Sequence, residues 1–81
     1  MRQGAVISEL ILAVATQRGI DKSTCPSELA RMMFPDDWRK HMKEIREVAV
    51  VLHQKGKVLI TQKGEPVDTD NIKGPIRIRI I

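Results

Sequence analysis

At 81 residues, with 42% hydrophobic and 30% charged side chains, the sequence fits one small domain spanning residues 1–81, globular rather than disordered. No apolar run approaches the ~20 residues needed to cross a bilayer. The start Met1-Arg2-Gln3-Gly4 lacks the apolar core of an export signal, and Cys25 is the single cysteine, so no internal disulfide can form. A cytoplasmic location and no membrane partner are therefore expected. The formal charge of +4 permits nucleic acid as a partner, but the excess is spread as +1 over residues 1–33, +1 over 34–56 and +2 over 57–81.

A first helix is predicted over residues 5–18. Ile7, Leu10, Ile11 and Val14 fall at i, i+3, i+4 and i+7, one apolar stripe. Arg18 then places a cation at the negative end of the helix dipole, and Gly19 supplies a stop. Leu12 falls off the stripe, which predicts either a single exposed leucine or a dimer contact.

A second helix begins near Pro26, because proline is favoured where its missing N–H would be unpaired anyway. Thr24 or Cys25 is its N-cap; with Cys25 as cap, Glu28 takes the third helical position, where its charge suits the positive helix end. Leu29, Met32 and Met33 form the expected buried side. Phe34-Pro35 ends the helix, since a residue before proline leaves the α region. Ser23-Thr24, just upstream, could form a very short strand. Cys25 has neither a second cysteine nor a suitably spaced base, which argues against a nucleophile or metal ligand.

The third helix has the clearest face pattern. It is predicted to start at Asp36 or Asp37 as cap and to run unbroken to Lys55-Gly56, about 18 residues and ~27 Å. Trp38, Met42, Ile45, Ala49 and Leu52 share one dry sector, with His41 and Val48 at its edge. That phase assigns Trp38 to the core rather than to stacking on bases. Arg39, Lys43 and Arg46 share an adjacent sector, and Lys40 with Glu44, and Lys43 with Glu47, are i,i+4 pairs. Val50 lies beside the basic flank and Val51 on the opposite side.

After Gly56 the period becomes two. Val58, Ile60 and Gln62 alternate with Leu59 and Thr61, and Lys63-Gly64 supplies a turn in which glycine takes positive φ cheaply. Pro66 marks the next segment as a sheet edge. Residues 69–71 and 73–74 read as loop. Pro75 then leads Ile76-Arg77-Ile78-Arg79-Ile80, with isoleucines inward and arginines outward. The fold class expected is α+β: a winged helix-turn-helix of three helices followed by a small antiparallel sheet of two or three strands. The wing is the 57–68 hairpin or the longer connection to Pro75.

The ordered runs Thr24-Cys25-Pro26-Ser27-Glu28-Leu29-Ala30, Phe34-Pro35-Asp36-Asp37-Trp38-Arg39, Arg46, Gly56 through Ile60-Thr61-Gln62-Lys63-Gly64, Pro66-Val67-Asp68 and Gly74-Pro75-Ile76-Arg77 span nearly the whole chain. In these runs the sequence resembles a small bacterial family of unknown function, domain-of-unknown-function family 3253. The resemblance implies a winged-helix fold and carries no activity. Cys25 stands where a small aliphatic residue or serine is more often expected.

The leading functional expectation is recognition of double-stranded DNA in a transcription-related role. Arg39, Lys43 and Arg46 would enter a major groove, Lys63 would touch a phosphate at the wing tip, and Arg77 and Arg79 would extend the contact if their sheet face is open. Asp36 and Asp37 place negative charge at the leading end of the helix, and Glu44 and Glu47 dilute its basic face. The alternative is a protein–protein interaction or homodimerisation module without nucleic acid, built on Val50 and Val51 or on the alternating edge Ile76–Ile80. Catalysis, a cofactor and a small-molecule substrate are not expected. Asp37 and His41 at i,i+4 could share a metal, but spacing places no third ligand, and His53 lies on another side. Asp68 and Asp70 lack the glycine and distal glutamate of a calcium loop, and neither a nucleophile–base pair nor a phosphate-cradling glycine loop is present.

Overall fold

In the computed structural model, which describes residues 3–66 and 74–81, three helices precede a three-stranded antiparallel sheet. The elements are α1 (Gln3–Arg18), α2 (Pro26–Met33), a 3-10 turn (Trp38–His41), α3 (Met42–Gln54), β1 (Val58–Gln62), β2 (Glu65–Pro66) and β3 (Arg77–Ile80). The strand order is β2-β1-β3. Thr24 adds an antiparallel bridge to Ile78 on the far side of β3, with N–H···O distances of 2.8 Å in both directions. The chain therefore folds as the expected α+β winged helix-turn-helix, and the short strand expected at Ser23-Thr24 is reduced to that single bridge.

The helix faces follow the apolar spacing. Ile7, Ile11, Val14 and Ala15 are buried on α1, Pro26, Leu29 and Ala30 on α2, and Ile45, Ala49 and Leu52 on α3. On the sheet, Val58, Ile60 and Ile78 face inward while Arg77 and Arg79 face outward, as the alternation requires. β1 and β3 pair in the register Ile60↔Ile78, with α1 packed on β3 and α3 on β1. Pairing of Gln62 with Glu65 leaves Lys63-Gly64 as a two-residue turn with φ of 53° and 85°. Two positive φ values match the twist of the flanking strands, and glycine at the second position makes the turn cheap. Pro66 sits in the two-residue edge strand, where its missing N–H breaks no ladder bond.

Three expectations are corrected. Met32 is 49% exposed, because the buried side of α2 runs through Pro26, Leu29, Ala30 and Met33 instead. Leu12 is neither stray nor a free contact; it packs, partly buried, against the core. The third helix is not continuous from Asp37. Asp37 takes φ −142° and ψ 37° and makes no side-chain cap, residues Trp38–His41 wind as a 3-10 turn, and the α-helix starts at Met42. Tight i→i+3 winding is common at helix starts, and here aromatic contacts accompany it. Of the residues expected as loop after Pro66, 67–73 lie outside the described residues, and so does most of the longer wing connection.

Candidate nucleic-acid interface

Two aromatic side chains of the 3-10 turn, His41 and Trp38, make close ring contacts. The His41 ring stacks on Phe34 with centroids 3.5 Å apart and planes at 14°. Its Nε2 lies 3.4 Å from Asp37 Oδ2 and its Nδ1 3.7 Å from Glu44 Oε1. Trp38 packs against the core from its rim and remains half-buried, which corrects the expectation of a core indole. Its ring instead carries two cations: the guanidinium carbons of Arg31 and Arg39 lie 4.4 and 4.6 Å from the ring centroid. A pattern of 3.6-residue spacing put Trp38 in line with Ile45, but the tighter winding before Met42 rotates it towards the boundary.

The expected cations divide into two groups. Arg39 and Lys43 are exposed, and Lys43 heads an outward stripe continued by Glu47, Val51 and Gln54. Arg46 is half-buried and its Nη1 donates to the Gly74 carbonyl at 2.9 Å. The neighbouring Pro75 carbonyl accepts from Gln62 Nε2 at 3.0 Å, and Gln62 adjoins Lys63 at the turn. Arg46 thus ties α3 to Gly74, and Gln62, next to the turn bearing Lys63, holds the adjoining Pro75 carbonyl. Val50, expected beside the basic flank, is partly buried against the core, whereas Val51 is 45% exposed.

Arg77 and Arg79 are exposed, but their guanidinium groups are committed within the domain. Arg77 Nε donates to Ser23 Oγ at 2.8 Å and Nη2 to the Ser23 carbonyl at 3.0 Å; Arg79 Nη1 reaches the Ile20 carbonyl at 3.5 Å. Beside Arg77 lies a polar cluster that the sequence reading did not assemble. Arg18 donates from Nη1 and Nη2 to Glu28 Oε1 and Oε2 at 2.9 and 2.6 Å, and the hydroxyl of fully buried Thr24 donates to Oε1 at 2.6 Å. The Arg18 guanidinium first, and the Thr24 hydroxyl second, hold the Glu28 carboxyl down to about 2. Arg18 is raised in turn by the same hydrogen bond. The sequence signals were present as separate parts: a cation ending α1 and a carboxylate in the third position of α2. Only the reversal of the chain between them brings the two together.

Cys25 is the residue before Pro26, and its Sγ lies 3.3 Å from Ser27 Oγ. Among the described residues no group of three or more His, Cys, Asp or Glu side chains could hold a metal ion. No described helix is long and apolar enough to cross a membrane. Compared with known proteins, residues 4–81 match the profile of a family whose description is "Protein of unknown function (DUF3253)". No curated protein matches the chain.

Proposed function

We propose that this chain, which belongs to the DUF3253 family of proteins of unknown function, is a DNA-binding module that sets the exposed flank of α3 and the wing turn against duplex phosphates. The observation that carries the reading is the Arg46–Gly74 bond, which ties α3 to the segment leading into β3. Arg39, Lys43 and Lys63 are exposed. Lysine neutralises a phosphate as a point charge, and arginine can also bond both acceptors of a guanine edge. Exposed Glu47, Asp36 and Asp37 temper the surface, which suits modest affinity and weak sequence preference. With roughly three or four phosphate contacts, the logarithm of the binding constant falls against the logarithm of salt with a slope of about −3. Anisotropy of a labelled random-sequence duplex at two salt concentrations tests this. Steep salt dependence, reduced in Lys43→Ala and Lys63→Ala, is the expected result. No salt-dependent binding by the unaltered protein ends the reading.

One observation favours a second reading, self-association. A shallow groove between α1 and α3 is lined by Ala5, Ser8, Val48, Val51, Leu52 and Lys55, and Val51 is 45% exposed. An apolar strip of this kind suits a second copy of the chain better than it suits phosphate. Sedimentation equilibrium across a concentration series distinguishes the two: a dimer that Val51→Glu dissociates supports the second reading, and a monomer throughout removes it.

A further inference from the structure

We infer that Arg31 and Arg39, held together on the indole of Trp38, form a paired-arginine contact for the phosphate backbone of a nucleic acid. The inference rests on the DNA-binding reading above and extends its surface to α2, through Arg31.

Both guanidinium carbons lie within 4.6 Å of one ring centroid, so the two cations are at most about 9 Å apart. A separation of that size or less suits neighbouring phosphates of one strand. The platform is fixed, because Trp38 packs against the core. The cations come from different elements, Arg31 from the last turn of α2 and Arg39 from the 3-10 turn before α3. Both are exposed. Among the described residues neither makes an ion pair, in contrast to Arg18, which Glu28 neutralises.

The chemistry of the stack points outward. A guanidinium against an aromatic face keeps its N–H groups in its own plane, free to donate in pairs to phosphate oxygens. Attraction to the indole face holds each arginine in place against their mutual repulsion, and an arriving anion relieves that repulsion. Asp36 and Asp37 line the hollow on the Arg39 and Lys40 side of the ring. Those carboxylates repel phosphate, so of the two arginines Arg31 makes the less opposed contact. Arg31 and Arg39 are the contact residues; Trp38 acts through them and is a positioning residue.

The test is the affinity of the full chain for a labelled random-sequence duplex, with its salt slope between about 50 and 200 mM. Arg31→Ala should bind about three- to tenfold more weakly, with the slope reduced by about 1 and the melting temperature unchanged. Trp38→Phe should retain most of the affinity because a ring remains, and Trp38→Leu should lose it as Arg31→Ala does. Arg31→Lys keeps the charge without the stacked plane and should fall between the two, which tests positioning even where Trp38→Leu does not fold. Weakening by Lys43→Ala with none by Arg31→Ala overturns the paired contact and leaves the DNA reading standing. Arg31→Lys equal to the unaltered protein removes the positioning role of the ring. Absence of salt-dependent binding by the unaltered protein ends both.

Discussion

Arg18, at the end of α1, and Glu28, in the first turn of α2, form a parallel pair of bonds: Nη1 to Oε1 at 2.9 Å and Nη2 to Oε2 at 2.6 Å. The pair spans the reversal between the two helices. Through Thr24 Oγ1 it also joins the bridge that adds Thr24 to the sheet. About a third of each side chain is exposed, so solvent screens the attraction. The pair latches α1, the Thr24 bridge and α2 together, while the apolar core carries most of the stability.

The pH dependence follows from the same pair. Glu28 is depressed from 4.5 to about 2 in the folded state, chiefly by Arg18. The stabilisation is therefore fully present above the unfolded carboxyl value and is lost as pH falls from about 5 towards 2. The melting temperature should drop through that window, and Glu28→Gln should give a flatter curve that converges with it at the acid end. Circular-dichroism melts across the range check this. Two parallel curves would show that the pair adds nothing beyond its polar contacts.

Trp38 sits at the rim, so truncating it should be milder than truncating a core residue. Trp38→Ala should destabilise by about 2–3 kcal/mol, against about 3–5 kcal/mol for a large side chain that is fully enclosed. Ile45→Ala, at a position with no exposure, should cost about 2–5 kcal/mol. Urea unfolding of both variants gives the comparison, and a Trp38 loss well above that of Ile45 would return the indole to the core.

Most of the fold was legible because it follows from periodicity. The stripe Ile7–Ile11–Val14, the alternation Ile76–Ile80 and the turn at Lys63-Gly64 are local patterns with one geometric solution each. The break before Met42 was not legible. It accompanies Phe34 stacking on His41 and Arg31 meeting the indole, contacts that helical spacing does not encode. For the same reason the sequence placed Arg46 and Arg77 on outward faces but could not show that carbonyls of Gly74 and Ser23 engage them. Neither its sequence neighbours nor its helix face marks Arg31; only the fold brings it to Trp38.

His53 Nδ1 accepts the Ile60 amide at 3.2 Å, which joins the last turn of α3 to β1. That role requires Nδ1 to carry no proton. His53→Leu removes the acceptor and should cost about 1 kcal/mol. Hydrogen exchange at the Ile60 amide should speed up beyond the global change. Unchanged protection there would mean that another acceptor takes over.

The wing turn separates conformation from charge. Gly64 has φ 85° with open space around an added Cβ, so Gly64→Ala should cost about 1 kcal/mol through backbone strain alone. Lys63 has φ 53°, a region that asparagine tolerates better than lysine. Lys63→Asn should therefore keep or slightly raise the melting temperature while weakening duplex binding. A variant that loses stability and keeps its affinity would contradict both halves.

The most direct test of the DNA-binding reading is amide chemical-shift mapping of the isotope-labelled chain titrated with a short duplex. Shifts concentrated at Arg39, Lys43, Glu47, Lys63 and Gly64, fading as salt is raised, are the predicted result. Shifts confined to Ala5, Val48 and Val51, or none at any salt concentration, would contradict it.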